Sequence, residues 1–184
     1  MLKRSLPNIL TISRIVVIPF VLIAMCFDQS VFGHRLAAGL FLFACITDFL
    51  DGYLARAWSI QTKLGQFLDP IADKLLVGSV MLVLVHFDRA DLFPAIAIIC
   101  REILVSGLRE VLAEIRVSVP VSELAKVKTF LQMTAIFILV LGNEGVANLT
   151  YISFIGSMTL WLAAILTVVT GYAYLKAGIM HLTN

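Results

Sequence analysis

Charge is scarce in this sequence. Only 14% of the 184 residues are Asp, Glu, Lys or Arg, while 60% are apolar and the mean hydropathy is +0.99. A water-soluble domain is about half apolar and about a quarter charged, so this composition excludes an ordinary soluble fold and points to lipid surroundings. Cysteine is also sparse: Cys26, Cys45 and Cys100 are odd in number, lack paired spacing and sit in apolar stretches. They give neither a disulfide framework nor a zinc site, and read as small buried hydrophobes. The histidines His34, His86 and His181 stand apart near expected helix ends, so they read as surface or headgroup-level residues rather than a ligand cluster. No basic run accompanies the formal charge of +2, which argues against nucleic-acid binding. Internal repeats and low-complexity segments are lacking.

What the chain does have is a series of apolar runs, at residues 9–27, 36–54, 71–87, 92–112, 127–141 and 151–175. A spanning helix needs roughly 20 mostly apolar residues, so an all-α bundle of six transmembrane helices is expected, as a single membrane-embedded domain over residues 1–184. Lys3 and Arg4 ahead of the first run imitate a secretory signal. Arg14 and Pro19 interrupt that run and no small-residue cleavage site follows, so it is expected to stay as the first span. Six spans put both termini on one side. Lys3, Arg4, Arg56, Lys63, Lys74, Arg109, Arg116, Lys126, Lys128 and Lys176 fall on that side, while Arg35 and Arg89 fall opposite. The positive-inside rule then places the termini towards the cytoplasm.

Four carboxylates stand out against this apolar background. Asp48 and Asp51 lie near the cytoplasmic end of the second run, and Asp69 and Asp73 lie where the third begins. Charge within a span is costly unless it is paired, metal-bound or hydrated, so such residues are read as functional. At 1.5 Å per residue Asp48 lies roughly 18 Å from the start of its run, past the bilayer midplane. Spacings of three (Asp48 and Asp51) and four (Asp69 and Asp73) put each pair on one helix face. Asp69-Pro70 reads as a cap and first turn, so the third helix is expected to begin there. Carboxylates converging in a poorly hydrated pocket repel one another, and hard divalent cations, Mg²⁺ or Mn²⁺, are the simplest remedy for an oxygen-only donor set. Two such ions could clamp a diphosphate. The bland alternative makes these aspartates ordinary loop carboxylates, paired with Arg56, Lys63 and Lys74.

The segment Asp48-x2-Asp51-Gly52-x2-Ala55-Arg56-x8-Gly65-x3-Asp69-x3-Asp73 resembles the signature of the CDP-alcohol phosphotransferase family, with every signature position filled. The resemblance implies a six-helix membrane fold, homodimeric, with two divalent cations, Mg²⁺ or Mn²⁺, among the aspartates. Carried over by position, Asp48, Asp51, Asp69 and Asp73 would be metal ligands and Asp73 also the general base. Gly52, Ala55, Arg56 and Gly65 would lie around the CDP moiety. The implied reaction moves a phosphatidyl group from CDP-diacylglycerol, held in membrane lipid, onto an alcohol, with CMP leaving.

The second half of the chain bears on the acceptor. Arg101-Glu102-Ile103, Leu108-Arg109-Glu110 and Lys126-Val127-Lys128-Thr129, with the opening Asn8-x2-Thr11-x2-Arg14, resemble stretches of bacterial family members that use glycerol 3-phosphate. Arg101, Arg109, Lys126 and Lys128, with Arg14 and Thr11 as further candidates, are therefore expected around the acceptor phosphate, a task suited to charge-assisted hydrogen bonds. Inositol phosphate or serine as acceptor, or a divalent-cation transporter in place of an enzyme, are the competing readings. The absence of a repeat and the gathering of the acids towards one face speak against a transporter. The expected location is a bacterial cytoplasmic membrane, with the site facing the cytoplasm.

Overall fold

The computed structural model describes residues 2–27, 30–57, 63–115, 117, 123–146 and 151–182, without the side chains of residues 2–9, 51–57, 63, 64, 66, 181 and 182. Among these residues the chain forms six α-helices and no strand: α1 (Leu2–Phe27), α2 (Val31–Ala57), α3 (Lys63–His86), α4 (Leu92–Glu114), α5 (Glu123–Gly145) and α6 (Ile152–Leu182). The helices pack in a closed ring of neighbours, α1–α2–α5–α6–α4–α3 and back to α1, with α3 also touching α5 across the middle. Sequence neighbours are thus not always ring neighbours. That circuit brings α1, α2 and α3 together at one point, and α3, α4 and α5 at the next.

The side-chain distribution is that of a bundle in lipid. Large apolar groups such as Phe20, Phe43, Leu82, Phe130 and Phe154 face outwards. Thr11, Arg14, Thr47, Lys128, Gln132 and Thr167 are buried inside. Water would not tolerate so much outward hydrocarbon, whereas lipid does. α1, α2, α5 and α6 are long and apolar enough to cross a membrane by themselves. α3 and α4 carry the charges Asp69, Asp73, Lys74, Arg101, Glu102 and Arg109; at about 1.5 Å per residue they are nevertheless about 35 Å long, enough for a ~30 Å hydrocarbon core.

Close packing uses small residues. A Cβ at Gly156 would come within 2.8 Å of Leu139, and one at Gly178 within 2.5 Å of Leu108, so α6 is held against α5 and α4 at glycine-sized contacts. The core itself is filled by Val21, Phe41, Val80, Leu84, Ile136, Leu139 and Leu160.

Four local expectations are corrected. Cys26 and Cys100 are exposed on the outside of the bundle, not buried, and Cys45 is half-buried. α3 begins at Lys63, so Pro70 lies inside the helix and Asp69 is not a cap. The Lys63–Leu68 stretch continues the helix outwards, and the Pro70 carbonyl accepts a hydrogen bond of 3.2 Å from Lys74 Nζ. The fifth apolar run ends at residue 141, but α5 continues to Gly145 through a kink at Gly142 (φ 61°, ψ −179°), a conformation that suits glycine. His34 is buried, not exposed at the surface. Arg89 Nη1 lies 2.8 Å from its Nδ1, and Arg35 Nε donates to the Gly145 carbonyl at 2.8 Å. These contacts tie α2 to the α3–α4 turn and to the end of α5. Burial lowers the Arg89 pKa from its ordinary value, and the nearby Glu144 carboxylate opposes the shift.

Candidate active site

α1 supplies the organising group. Thr11 and Arg14 are three residues apart on one helical face, and both are buried. Arg14 Nη1 lies 2.7 Å from Asp48 Oδ1 on α2 and 3.3 Å from Asp73 Oδ1 on α3. Thr11 Oγ1 donates to Asp69 Oδ1 at 2.6 Å. One face of α1 therefore gathers three aspartates from two other helices. A guanidinium inside an apolar bundle persists only when compensated, and here the compensation is the carboxylates, which keep 37% (Asp48) and 44% (Asp73) of their side-chain surface open. The arginine is the inner wall and the carboxylates face the opening.

Among the described residues, three carboxylates, Asp48, Asp69 and Asp73, meet one cation, Arg14, so acidic groups outnumber basic ones. Oxygen-only donors in this charge state have the chemistry a hard divalent ion requires. Among the described residues, no three His, Cys, Asp or Glu side chains already form a cage around one ion. Asp69 is drawn to Thr11, while Asp48 and Asp73 share Arg14. The side chains of Asp51, Gly52, Ala55 and Arg56 lie outside the described residues, so the expectations placed on them are neither met nor refused by the geometry. Gly65 is buried in the first turns of α3.

Asp73 has a second neighbourhood. On its other side lies a cavity of about 110 Å³ between α3, α4 and α5, lined among others by Asp73, Lys74, Gly78, Glu102, Lys128 and Gln132. A Cβ at Gly78 would meet nothing within 4 Å, so this glycine leaves space rather than fitting a partner. Lys74 turns away from the aspartates, with Nζ hydrogen-bonded to Ser106 Oγ on α4. It is not the neutralising partner that the bland reading required.

The basic residues of the second half divide into two groups. Lys128, 4% exposed, pairs with Glu102, whose Oε1 also accepts from Arg101 Nη1 at 3.1 Å. Among the described residues, two cations share this one carboxylate. Arg101 reaches towards Thr170 Oγ1 on α6, at 3.5 Å, and its stem lies on Gly171, where a Cβ would come within 2.6 Å of Arg101 Cγ. The other two stand apart. Lys126 is 67% exposed and pairs with Glu123 at 2.8 Å, one helical turn away. The Arg109 guanidinium carbon lies 5.8 Å from the centroid of the Tyr174 ring, a cation–π contact.

Residue patterning did not single out Gln132, Ser106, Thr170 or Gly171. For Gln132 a signal existed, because it is a polar residue in an apolar run, four residues after Lys128 and hence on the same face. For Gly171 none existed, since its role depends on a side chain 70 positions away in the chain.

This geometry can now be set beside known proteins. The family profile for CDP-alcohol phosphatidyltransferase matches residues 4–169. A protein of Rickettsia felis named CDP-diacylglycerol--glycerol-3-phosphate 3-phosphatidyltransferase is 52% identical over 176 residues, covering 96% of each chain. A protein of the same name from Rickettsia prowazekii is 51% identical over 176 residues, again covering 96% of each chain. One from Bacillus subtilis is 40% identical over 182 residues, covering 92% of this chain and 93% of its own. A membrane bundle whose first helix gathers Asp48, Asp69 and Asp73, matched over most of its length by this profile, belongs to the CDP-alcohol phosphatidyltransferase family.

Proposed function

We propose that this chain transfers the phosphatidyl group of CDP-diacylglycerol to sn-glycerol 3-phosphate, giving phosphatidylglycerophosphate and CMP. The observation that carries the reading is the position of Asp73, which belongs at once to the aspartate cluster and to the wall of the cavity that holds Lys128. The names of the relatives support the choice of donor and acceptor.

In this reading Asp73 takes the proton from the acceptor's primary hydroxyl. The hydroxyl oxygen forms a bond to the phosphorus that carries diacylglycerol, and the bond from that phosphorus to the bridging oxygen of CMP breaks. Lys128 and Arg101 hold the acceptor phosphate by charge-assisted hydrogen bonds. Arg14 and Thr11 keep Asp48, Asp73 and Asp69 converged, so the carboxylates need not reorganise when the donor arrives. Arg56, Gly52, Ala55 and Gly65 attend the CDP moiety. Asp48, Asp51, Asp69 and Asp73 are the residues that would hold divalent cations, and the oxygen donors and negative charge of the described three fit that task. Mg²⁺ or Mn²⁺ bound there supplies electrostatic stabilisation of charge on the diphosphate.

The wider assignment is a single catalytic domain that works as a homodimer in a bacterial cytoplasmic membrane, with the aspartates facing the cytoplasm. The test is purified protein with CDP-diacylglycerol, Mg²⁺ and each acceptor in turn. Lipid product and CMP with glycerol 3-phosphate support the reading; product only with inositol phosphate or serine overturns it.

A further inference from the structure

We propose that Gln132 is a specificity-determining residue, whose side-chain amide recognises the acceptor hydroxyl that does not react. The inference rests on the acceptor reading above and deepens it. Gln132 is 2% exposed, and its Oε1 is buried without a hydrogen-bond partner among the described residues. An unsatisfied buried amide oxygen is destabilising and uncommon in a native interior. The same side chain lines the cavity that contains Asp73 and Lys128. It stands one helical turn beyond Lys128 on α5, so both project on one face.

The cavity presents the carboxylates of Asp73 and Glu102, the ammonium groups of Lys74 and Lys128, the Thr129 hydroxyl, which donates to the Ala125 carbonyl, and one amide, that of Gln132; Asp73 suits the reacting hydroxyl, Lys128 a phosphate, and the amide a neutral polar group. An amide offers both an acceptor and donors, and a hydroxyl can match either, so the assignment holds whichever way the amide is turned. Glycerol 3-phosphate has the three complementary groups, a primary hydroxyl, a phosphate and a secondary hydroxyl between them. A site built to hydrogen-bond a substrate hydroxyl discriminates against an analogue that lacks it, because its own polar group is then left unpaired. A bound acceptor hydroxyl gives the Gln132 amide a hydrogen-bond partner.

The experiment compares sn-glycerol 3-phosphate with its 2-deoxy analogue, which keeps the phosphate and the reacting primary hydroxyl, in the unaltered protein and in Gln132→Met. Methionine keeps the length and removes the amide. The unaltered protein is expected to favour glycerol 3-phosphate in kcat/KM by at least about tenfold. Gln132→Met is expected to lose most of that preference through a fall with glycerol 3-phosphate, while kcat/KM for the deoxy acceptor and KM for CDP-diacylglycerol change by less than about threefold. A merely structural glutamine would lower both acceptors alike, so an unchanged preference in Gln132→Met overturns the proposal, as does a lack of preference in the unaltered protein. Should the methionine variant not fold, Gln132→Asn, which shortens the reach by one methylene, carries the same comparison: a reduced preference supports the proposal and an unchanged one overturns it. CMP release with neither glycerol phosphate, but with another acceptor, overturns the acceptor reading and this inference together; release with an unchanged preference overturns this inference alone.

Discussion

Replacing Arg14 by methionine tests whether the α1 guanidinium is what holds the aspartates together. Arg14 has no exposed side-chain surface and bridges Asp48 at 2.7 Å and Asp73 at 3.3 Å. Removing one partner of a fully buried ion pair costs about 3–5 kcal/mol, because a charge is left uncompensated. Here the two carboxylates keep 37% and 44% of their surface open, so solvent recovers part of that cost and a loss of about 2–3 kcal/mol is expected. For a chain of this length each kcal/mol moves the melting temperature by about 2–4 °C, so a fall of about 4–12 °C follows. The assay is thermal unfolding in detergent micelles, followed by far-ultraviolet circular dichroism, with and without Mg²⁺. Without divalent ions the variant should melt in the stated range below the unaltered protein. With Mg²⁺ the gap should narrow, since an ion at 100 times its Kd stabilises by about 2.7 kcal/mol and the variant has no guanidinium competing for the same oxygens. A variant that melts within about 1 °C of the unaltered protein in the absence of metal would refute the reasoning.

Two further outcomes follow from the same packing. Lys128→Met should raise KM for glycerol 3-phosphate by about tenfold or more, the value of one charge-assisted hydrogen bond, whereas Lys126→Ala on the exposed side of α5 should change it by less than about twofold; steady-state kinetics with varied acceptor decides between them. Gly171→Ala places a Cβ within 2.6 Å of Arg101 Cγ, so it should displace Arg101, cost about 1–3 kcal/mol of stability and raise KM for the acceptor but not for CDP-diacylglycerol. Equal changes in both constants would show that Arg101 does not serve the acceptor.

The sequence made the scaffold legible because its signals are local. The six apolar runs correspond to the six helices, and the period of the helix placed Asp69 and Asp73 on one face. The partners of these aspartates were not legible. Arg14 is 34 positions from Asp48 and 59 from Asp73, and its spacing on α1 gave no reason to choose the carboxylates over an acceptor phosphate. Tertiary packing decided that. The start of α3 was misread because Asp-Pro is a good opening for a helix, whereas here the helix runs through Pro70 in spite of the lost donor and the ring's clash with the carbonyl four residues back. His34 was misread because a lone histidine near a helix end is ordinarily exposed, and burial depended on Arg89 arriving from the α3–α4 turn. Among the basic residues, charge alone did not separate Lys128, inside the cavity, from Lys126, two positions away and outside it.

The most direct measurement is CMP release from CDP-diacylglycerol in the presence of glycerol 3-phosphate, made on the unaltered protein and on Asp73→Asn in lipid nanodiscs. Each is stripped with a chelator and then supplied with Mg²⁺, and folding is verified by melting. Release should cease on chelation in both proteins, return with Mg²⁺ in the unaltered protein, and stay lower by about 10²–10⁴-fold in Asp73→Asn once Mg²⁺ is restored. Undiminished release from the chelated protein, or full turnover by Asp73→Asn, would contradict the account.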